Sequence, residues 1–287
     1  MNINAHAKIN LGLDVIRRRP DGYHEVRMIM QTLDLHDELS IERCDEEGVS
    51  ITTNRDDLSV NEDNLIHKAA KLLMDEYDLP GGIRVVLTKN IPVAAGLAGG
   101  STDAAATLIA LNKLYSLDLD TEDLMKLGVR IGADVPYCIM GGTALSEGIG
   151  EVLTPLCACP DWRILLAKPP VSVSTAYVYG NLKLDKVTHP DIDTMIEGIQ
   201  TGDRKNILQG MGNVLESVTV AKHPVISQIK DIMRRNNAAC SLMSGSGPTV
   251  FGLFEDYDSI NAAYEDLKNS GIAPELFITG LYDPKRN

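Results

Sequence analysis

The chain of 287 residues is 44% hydrophobic and 23% charged, the composition of a globular protein of about two domains at roughly 100–200 residues each. Its 27 Lys and Arg against 40 Asp and Glu leave a net charge of −13, which argues against nucleic-acid or anionic-membrane partners, because both are met by a basic face. The N-terminus has no basic-then-apolar leader, no apolar run nears the roughly 20 residues that cross a bilayer, and five scattered cysteines (Cys44, Cys138, Cys157, Cys159, Cys240) suit no disulfide framework, so a reduced cytoplasmic setting is expected.

Residues 8–16 alternate apolar and polar, as a half-buried strand does. A basic run and a Pro-Asp-Gly turn follow over 17–22, then a second strand through Leu33, with further strands at 39–43 and 49–53. The first helix follows Asp63 as N-cap, with Leu65, Ala69, Leu72 and Leu73 on one face, and ends at Pro80-Gly81-Gly82. A β-branched strand at 83–88 leads to a glycine/alanine loop at 92–100; Ser101 or Thr102 then caps an Ala-rich helix to about Tyr115, and another helix opens at Thr121. From Trp162 the pattern restarts with a short buried strand at 164–167. Helices are expected over 192–200, 205–218 and 225–235, then a strand at 240–243, a turn at 244–248, a strand at 249–254, a helix at 259–269 and a strand at 276–279. Strands and helices mixed without strict alternation indicate an α+β fold. The weakest joint lies around Pro155 and Pro160, dividing the chain into domains 1–155 and 156–287.

Four segments hold the residues that could carry chemistry. Residues 91–106, IPVAAGLAGGSTDAAA, pass through small residues straight into a helix. Gly96, Gly99 and Gly100 let backbone approach a ligand, and the helix start offers N–H groups and a positive dipole end, which suits phosphate. A flexible turn before a helix is the other explanation. No Gly-Lys-Ser/Thr follows, and the G-x-G-x-x-G spacing is absent, so neither standard nucleotide loop applies. Residues 244–249, SGSGPT, form a second glycine-rich turn, alone equally consistent with a tight hairpin. Gly132-Ala133-Asp134-Val135-Pro136 sets one carboxylate among small and apolar neighbours, where a helix-capping Asp is the ordinary explanation. Ala7-Lys8-Ile9-Asn10-Leu11 places a Lys on an apolar strand, where its ammonium ordinarily reaches solvent. Cys157 and Cys159 have no second Cys or His pair nearby at metal-ligand spacing and read as plain thiols.

In this order the four segments resemble the motifs of the GHMP kinase family, named for galacto-, homoserine, mevalonate and phosphomevalonate kinases: an N-terminal strand, a glycine-rich loop before a helix, and a C-terminal glycine turn. Longer stretches are AKINLGLDVIRRRPDGYHE (7–25), EDNLI (62–66), IPVAAGLAGGSTDAA, IGADVPY (131–137) and EGIGE (147–151). These resemble the branch of that family that acts on a cytidine-diphospho sugar alcohol in the non-mevalonate route to isoprenoids, and they run co-linearly over nearly the whole chain. The resemblance implies a two-domain fold, the N-terminal domain like ribosomal protein S5 and the C-terminal one ferredoxin-like. It implies transfer of the γ-phosphoryl group of ATP, with Mg2+, to the carbon-2 hydroxyl of the sugar alcohol.

By that resemblance Asp134 accepts the hydroxyl proton, and Lys8 orients the hydroxyl and holds Asp134 ionised, as a cation within about 4–6 Å does. Pro92, Val93, Ala94, Ala95, Gly96, Leu97, Ala98, Gly99, Gly100, Ser101 and Thr102 make the ATP-binding loop, with Ser101 or Thr102 as an Mg2+ contact and Asn64 on the adenosine side. Some relatives carry Gly where Ala94, Ala95 and Ala98 stand, so this loop tolerates positive φ less well there. Tyr23 and His24 match the family's Gly-Tyr-His at the nucleobase, with Tyr179 as the opposing aromatic; stacking of this kind is worth roughly 1–3 kcal/mol per base. Met30, aromatic in some relatives, is expected as an apolar wall. Asn10, Thr175, Gly245 and Gly247 complete the substrate contacts. Another GHMP kinase of the homoserine or mevalonate type remains an alternative, as does an inactive nucleotide-binding protein on the same scaffold. The expected partners are small molecules, with a monomer or weak homodimer.

Overall fold

The computed structural model describes residues 1–284. Its elements in chain order are β1 (Asn2–Arg18), β2 (His24–Cys44), β3 (Gly48–Thr53), α1 (Leu65–Glu76), β4 (Gly82–Thr88), α2 (Gly99–Tyr115), α3 (Thr121–Val129), α4 (Val135–Met140), β5 (Thr143–Glu147), β6 (Val152–Pro155) and β7 (Arg163–Lys168). After them come α5 (Thr175–Asn181), α6 (Ile192–Thr201), α7 (Arg204–Gly210), β8 (Gly212–Asn213), α8 (Glu216–Lys222), α9 (Val225–Arg235), β9 (Cys240–Met243), β10 (Val250–Phe254), α10 (Tyr257–Ser270) and β11 (Glu275–Gly280). The α+β class expected from the sequence holds.

Two compact units are present, and neither is a single run of chain. The first comprises Met1–Ala7, Leu35–Val93 and Ala98–Gly141. In it β4 pairs antiparallel with the end of β2 (Leu39 opposite Leu87, Ile41 opposite Val85) and parallel with β3. Alternation in β4 sends Ile83, Val85 and Leu87 inward. They join a core built from Ile66, Ala69, Ala70 and Leu73 of α1 and Ala104, Ala105, Leu108 and Leu111 of α2. The run of alanines lets α2 be buried on most of its faces, as a central helix must be.

The second unit comprises Lys8–Asp34, Ala94–Leu97 and Gly142–Asn287. Its four-stranded sheet has the order β11-β7-β10-β9, antiparallel throughout. With α9 and α10 as connections this is the split β-α-β, ferredoxin-like arrangement. The remainder of β1 pairs in parallel with β8, Gly12 opposite Gly212. β5 pairs with β2 at Met30 opposite Ala144.

Four differences from the sequence expectation have physical causes. The strands through Leu33 and over 39–43 are one strand, β2. The helix expected at 205–218 is broken into α7 and α8 by Gly210 and Gly212: a Cβ on Gly210 would stand 2.4 Å from the Asp191 carbonyl oxygen, and Asn213 then bonds the Leu215 N–H. α1 is capped by Asn64, not Asp63. α2 begins two residues before Ser101, at Gly99.

Candidate active site

The loop before α2 has a repeating backbone. Ala94, Gly96 and Ala98 lie in the left-handed region, at φ 51°, 77° and 58°. Left-handed residues at every second position curl the backbone so that N–H groups gather on one side, a concavity suited to anions. The last of them, Ala98, is the N-cap of α2 and has no side-chain oxygen to bond the first N–H groups. The helix therefore opens with donors and the positive dipole end directed at whatever lies before it. Pro92, Ala95, Leu97, Gly99 and Thr102 are buried and Val93 is half-buried, while Ala94 and Gly100 are exposed. Ser101 is half-buried on the first turn of α2. Thr102 is buried and its Oγ1 donates to the His6 carbonyl at 2.7 Å, so its hydroxyl proton is engaged within the fold. Asn64 is likewise committed, accepting from the Ile66 N–H at 2.9 Å and donating to the Ser59 carbonyl at 2.6 Å.

Within the second unit, residues 94–97 of the loop are joined to the C-terminal glycine turn. Ser244 Oγ donates to the Gly96 carbonyl at 2.9 Å. A Cβ on Gly96 would stand 2.3 Å from the Ser244 carbonyl oxygen. Gly96 is thus glycine for its contact with the turn as much as for its φ. The turn itself is held by Asn213, whose Nδ2 donates to the carbonyls of Met243 and Gly245 at 2.7 and 2.8 Å, and by Thr219, which bonds the Ser246 carbonyl. Gly245 and Gly247, at φ 57° and 90°, supply its two left-handed positions. The same unit brings β1 to this place, the Lys8 N–H donating to the Leu97 carbonyl at 3.1 Å. Lys8 does not reach solvent; it is 5% exposed and its Nζ donates to Asn10 Oδ1 at 2.9 Å.

Asp134 lies in the first unit, half-buried immediately before α4. Its side chain makes no capping bond to that helix, so the ordinary explanation of an Asp at a helix start does not account for it. At the expected nucleobase end, His24 and Tyr179 have their ring centroids 5.2 Å apart and tilted by 41°. Burial first, and the nearby Arg18 charge second, hold the His24 imidazole below its usual range. A neutral ring offers one donor and one acceptor. Tyr23 is 60% exposed. Thr175, just after the Ser174 cap of α5, shares a 2.9 Å hydrogen bond with Ser246 of the glycine turn. Met30 is corrected: it is fully buried in β2 opposite Ala144 and presents no wall to a ligand.

Family models for the GHMP kinase N-terminal domain and the GHMP kinase C-terminal region match residues 64–142 and 195–273. The chain belongs to the GHMP kinase family. Two relatives named 4-diphosphocytidyl-2-C-methyl-D-erythritol kinase match it closely. One, from Lachnospira eligens, is 53% identical over 99% of this chain and 99% of its own; the other, from Lachnoclostridium phytofermentans, is 50% identical over 99% and 98%. A crystal structure of 4-(cytidine 5'-diphospho)-2C-methyl-D-erythritol kinase superposes with a TM-score of 0.84 at 33% identity, covering 99% of this chain and 100% of that one.

Sequence reasoning missed several residues that shape the site of this GHMP kinase. Asn213 and Ser244 fix the glycine turn and the loop, yet both act across more than a hundred residues of sequence or from within what reads as a helix. The pair Gly210 and Gly212 is the signal that could have exposed Asn213, since two glycines in one helical run argue for a break. Asp37, Lys89 and Asp103 were also passed over. No spacing rule links them; only the charge of Asp103 in an otherwise small-residue helix hints at a buried partner.

Proposed function

We infer that the protein is an ATP-dependent kinase that phosphorylates the carbon-2 hydroxyl of 4-diphosphocytidyl-2-C-methyl-D-erythritol, giving the 2-phosphate and ADP, in the non-mevalonate route to isoprenoids. The observation that carries the phosphoryl-transfer reading is the loop itself, three alternating left-handed residues feeding a helix whose N-cap has no side-chain acceptor. Such a loop cradles the β- and γ-phosphates through backbone N–H groups.

Asp134 is the proposed base for the hydroxyl proton, supported by its half-buried place at the start of α4, where its side chain does not cap the helix. Lys8 is the proposed cation for the transferring group, supported by its burial and by its backbone bond to the loop. A hydroxyl on a fully substituted carbon is a poor nucleophile, so holding it in line contributes more than basicity does. Ser101 offers the kind of hard oxygen that Mg2+ takes together with phosphate oxygens. The ion, when bound, neutralises charge on the phosphates. His24 and Tyr179, supported by their ring contact, are assigned to the cytosine with Tyr23, and Asn10, Thr175, Gly245 and Gly247 to the rest of the substrate. The 155/156 boundary is retained as the division between the two family domains, the matched regions 64–142 and 195–273 lying on either side of it. A cytoplasmic monomer or weak homodimer is the state proposed; no described helix is long and apolar enough to cross a membrane.

The test is ADP release measured with the cytidine-diphospho substrate against homoserine and mevalonate. Turnover with the first alone is expected. Preference for homoserine or mevalonate would replace the substrate assignment, and ATP binding without turnover on any of them would leave a binding protein.

A further inference from the structure

Three ionisable residues that the reaction does not use are sealed in the first unit. Asp37 is 0% exposed, Asp103 3% and Lys89 6%. Lys89 Nζ donates to Asp37 Oδ2 and, at 2.7 Å, to Asp103 Oδ2. The other oxygen of Asp37 accepts from the N–H groups of Asn90 and Ile91 at 2.6 and 2.8 Å. Asn54 adds a 2.8 Å acceptor for the Lys89 N–H, and Asn90 Nδ2 donates to the His36 carbonyl.

The place of these bonds matters more than their number. Residues 89–91 are the last three before the phosphate loop, and Asp103 stands at the start of the second turn of α2, just after it. One ammonium therefore ties the two ends of the loop together. It also packs against the loop's exit: a Cβ on Gly99 would stand 2.9 Å from Lys89 Nζ. A buried cluster built around an ammonium and a carboxylate is a poor source of net stability, since taking the charges out of water offsets most of their attraction. Its geometric effect is not offset. A loop whose two ends are pinned keeps its N–H groups in one arrangement, and preorganised donors are the ones that stabilise developing charge.

We propose that Asp37, Lys89 and Asp103 are positioning residues for the phosphate loop, fixing its entry and exit so that the polyphosphate of the nucleotide meets a preformed set of backbone donors. This rests on the reading of the loop as phosphate-binding. The variant Lys89→Met keeps the length of the side chain and removes the bridge. Its KM for ATP should rise at least 10-fold and its kcat fall, while KM for the alcohol substrate stays within twofold. Asp103→Leu should show the same split, and Asp103→Asn, which keeps an oxygen acceptor for Lys89, should recover most of the loss. A folded Lys89→Met protein with unchanged KM for ATP, or equal changes in both KM values, overturns the proposal. Should Lys89→Met fail to fold, the comparison of Asp103→Leu with Asp103→Asn decides by the same readout, equal kinetics in the two overturning it.

Amide NMR of the wild-type protein titrated with ADP separates this from the loop assignment. Shifts at the N–H groups of residues 96–101 are expected. If they do not move in wild type, the loop assignment fails. If they move and the Lys89→Met kinetics are unchanged, only the positioning role fails.

Discussion

At the residue scale Asp134 and Tyr179 bear different loads. Asp134→Asn keeps shape and removes the base, so turnover should fall at least about 10²-fold with little change in nucleotide affinity, as for a general base. Near wild-type turnover would take the role from Asp134 and leave the family membership untouched. Tyr179→Ala removes a ring that already lies against His24. It should raise KM for the cytidine substrate by roughly 5- to 150-fold, the loss of one stacking contact of about 1–3 kcal/mol, with KM for ATP unmoved. Lys8 shows how far residue chemistry was legible. Its charge on an apolar strand reads from the sequence as a solvent-seeking side chain, whereas in the fold its ammonium is buried and donates to the Oδ1 of Asn10, two positions on. Met30 is the opposite case: an apolar side chain expected to face a ligand lies fully buried in β2, and polarity alone does not separate the two.

At the scale of elements, the phosphate loop makes two opposite predictions from one backbone. Ala98 holds φ 58°, where a Cβ costs about 1–2 kcal/mol. Replacing it by Gly should leave stability unchanged or raise it by up to about 1 kcal/mol, against the usual penalty for Gly. Gly96→Ala meets both a φ of 77° and the Ser244 carbonyl at 2.3 Å, and should lose about 2 kcal/mol or more along with activity. Thermal unfolding of the two variants checks both; destabilisation of Ala98→Gly beyond 1 kcal/mol would refute the strain assigned to that position. The helices and strands themselves were mostly legible, because α1, α6, α9 and α10 have one apolar face and β4 alternates. β1 was misjudged as half-buried. Its second face is covered because Gly12 lets Ile192 and Met195 of α6 approach to within contact of the backbone, a packing partner 180 positions away that no local pattern can announce. α5 escaped notice for a simpler reason: seven residues are too few to show a helical period.

At the scale of the whole molecule, acidity enters stability through the interior more than through the surface count. Burial pushes the Asp103 carboxyl up to about 8, the Lys89 charge opposing and Asp37 reinforcing the rise. The unfolded chain releases that proton near pH 4. Between about pH 4 and 8 the folded state thus holds more protons, and stability falls as pH rises, by at most about 1.4 kcal/mol per pH unit from this group. Asp103→Asn removes the slope. Its melting temperature relative to wild type should climb between pH 5 and pH 8.5; a difference that does not vary with pH would refute the assignment. The net charge of −13 argues against polyanionic partners but says nothing of how phosphate would be held; the holders proposed above are main-chain N–H groups, which composition cannot count.

The parallel pairing of Gly12 with Gly212 carries a consequence for the newborn chain. At about 5–20 residues per second on the ribosome, the roughly 200 residues between them take about 10–40 s to emerge. Throughout that interval Ile9, Leu11 and Leu13, fully or nearly fully buried in the finished protein, lack the partner strand that completes their sheet. The strand carrying Lys8 is thus among the first to be made and among the last to be enclosed.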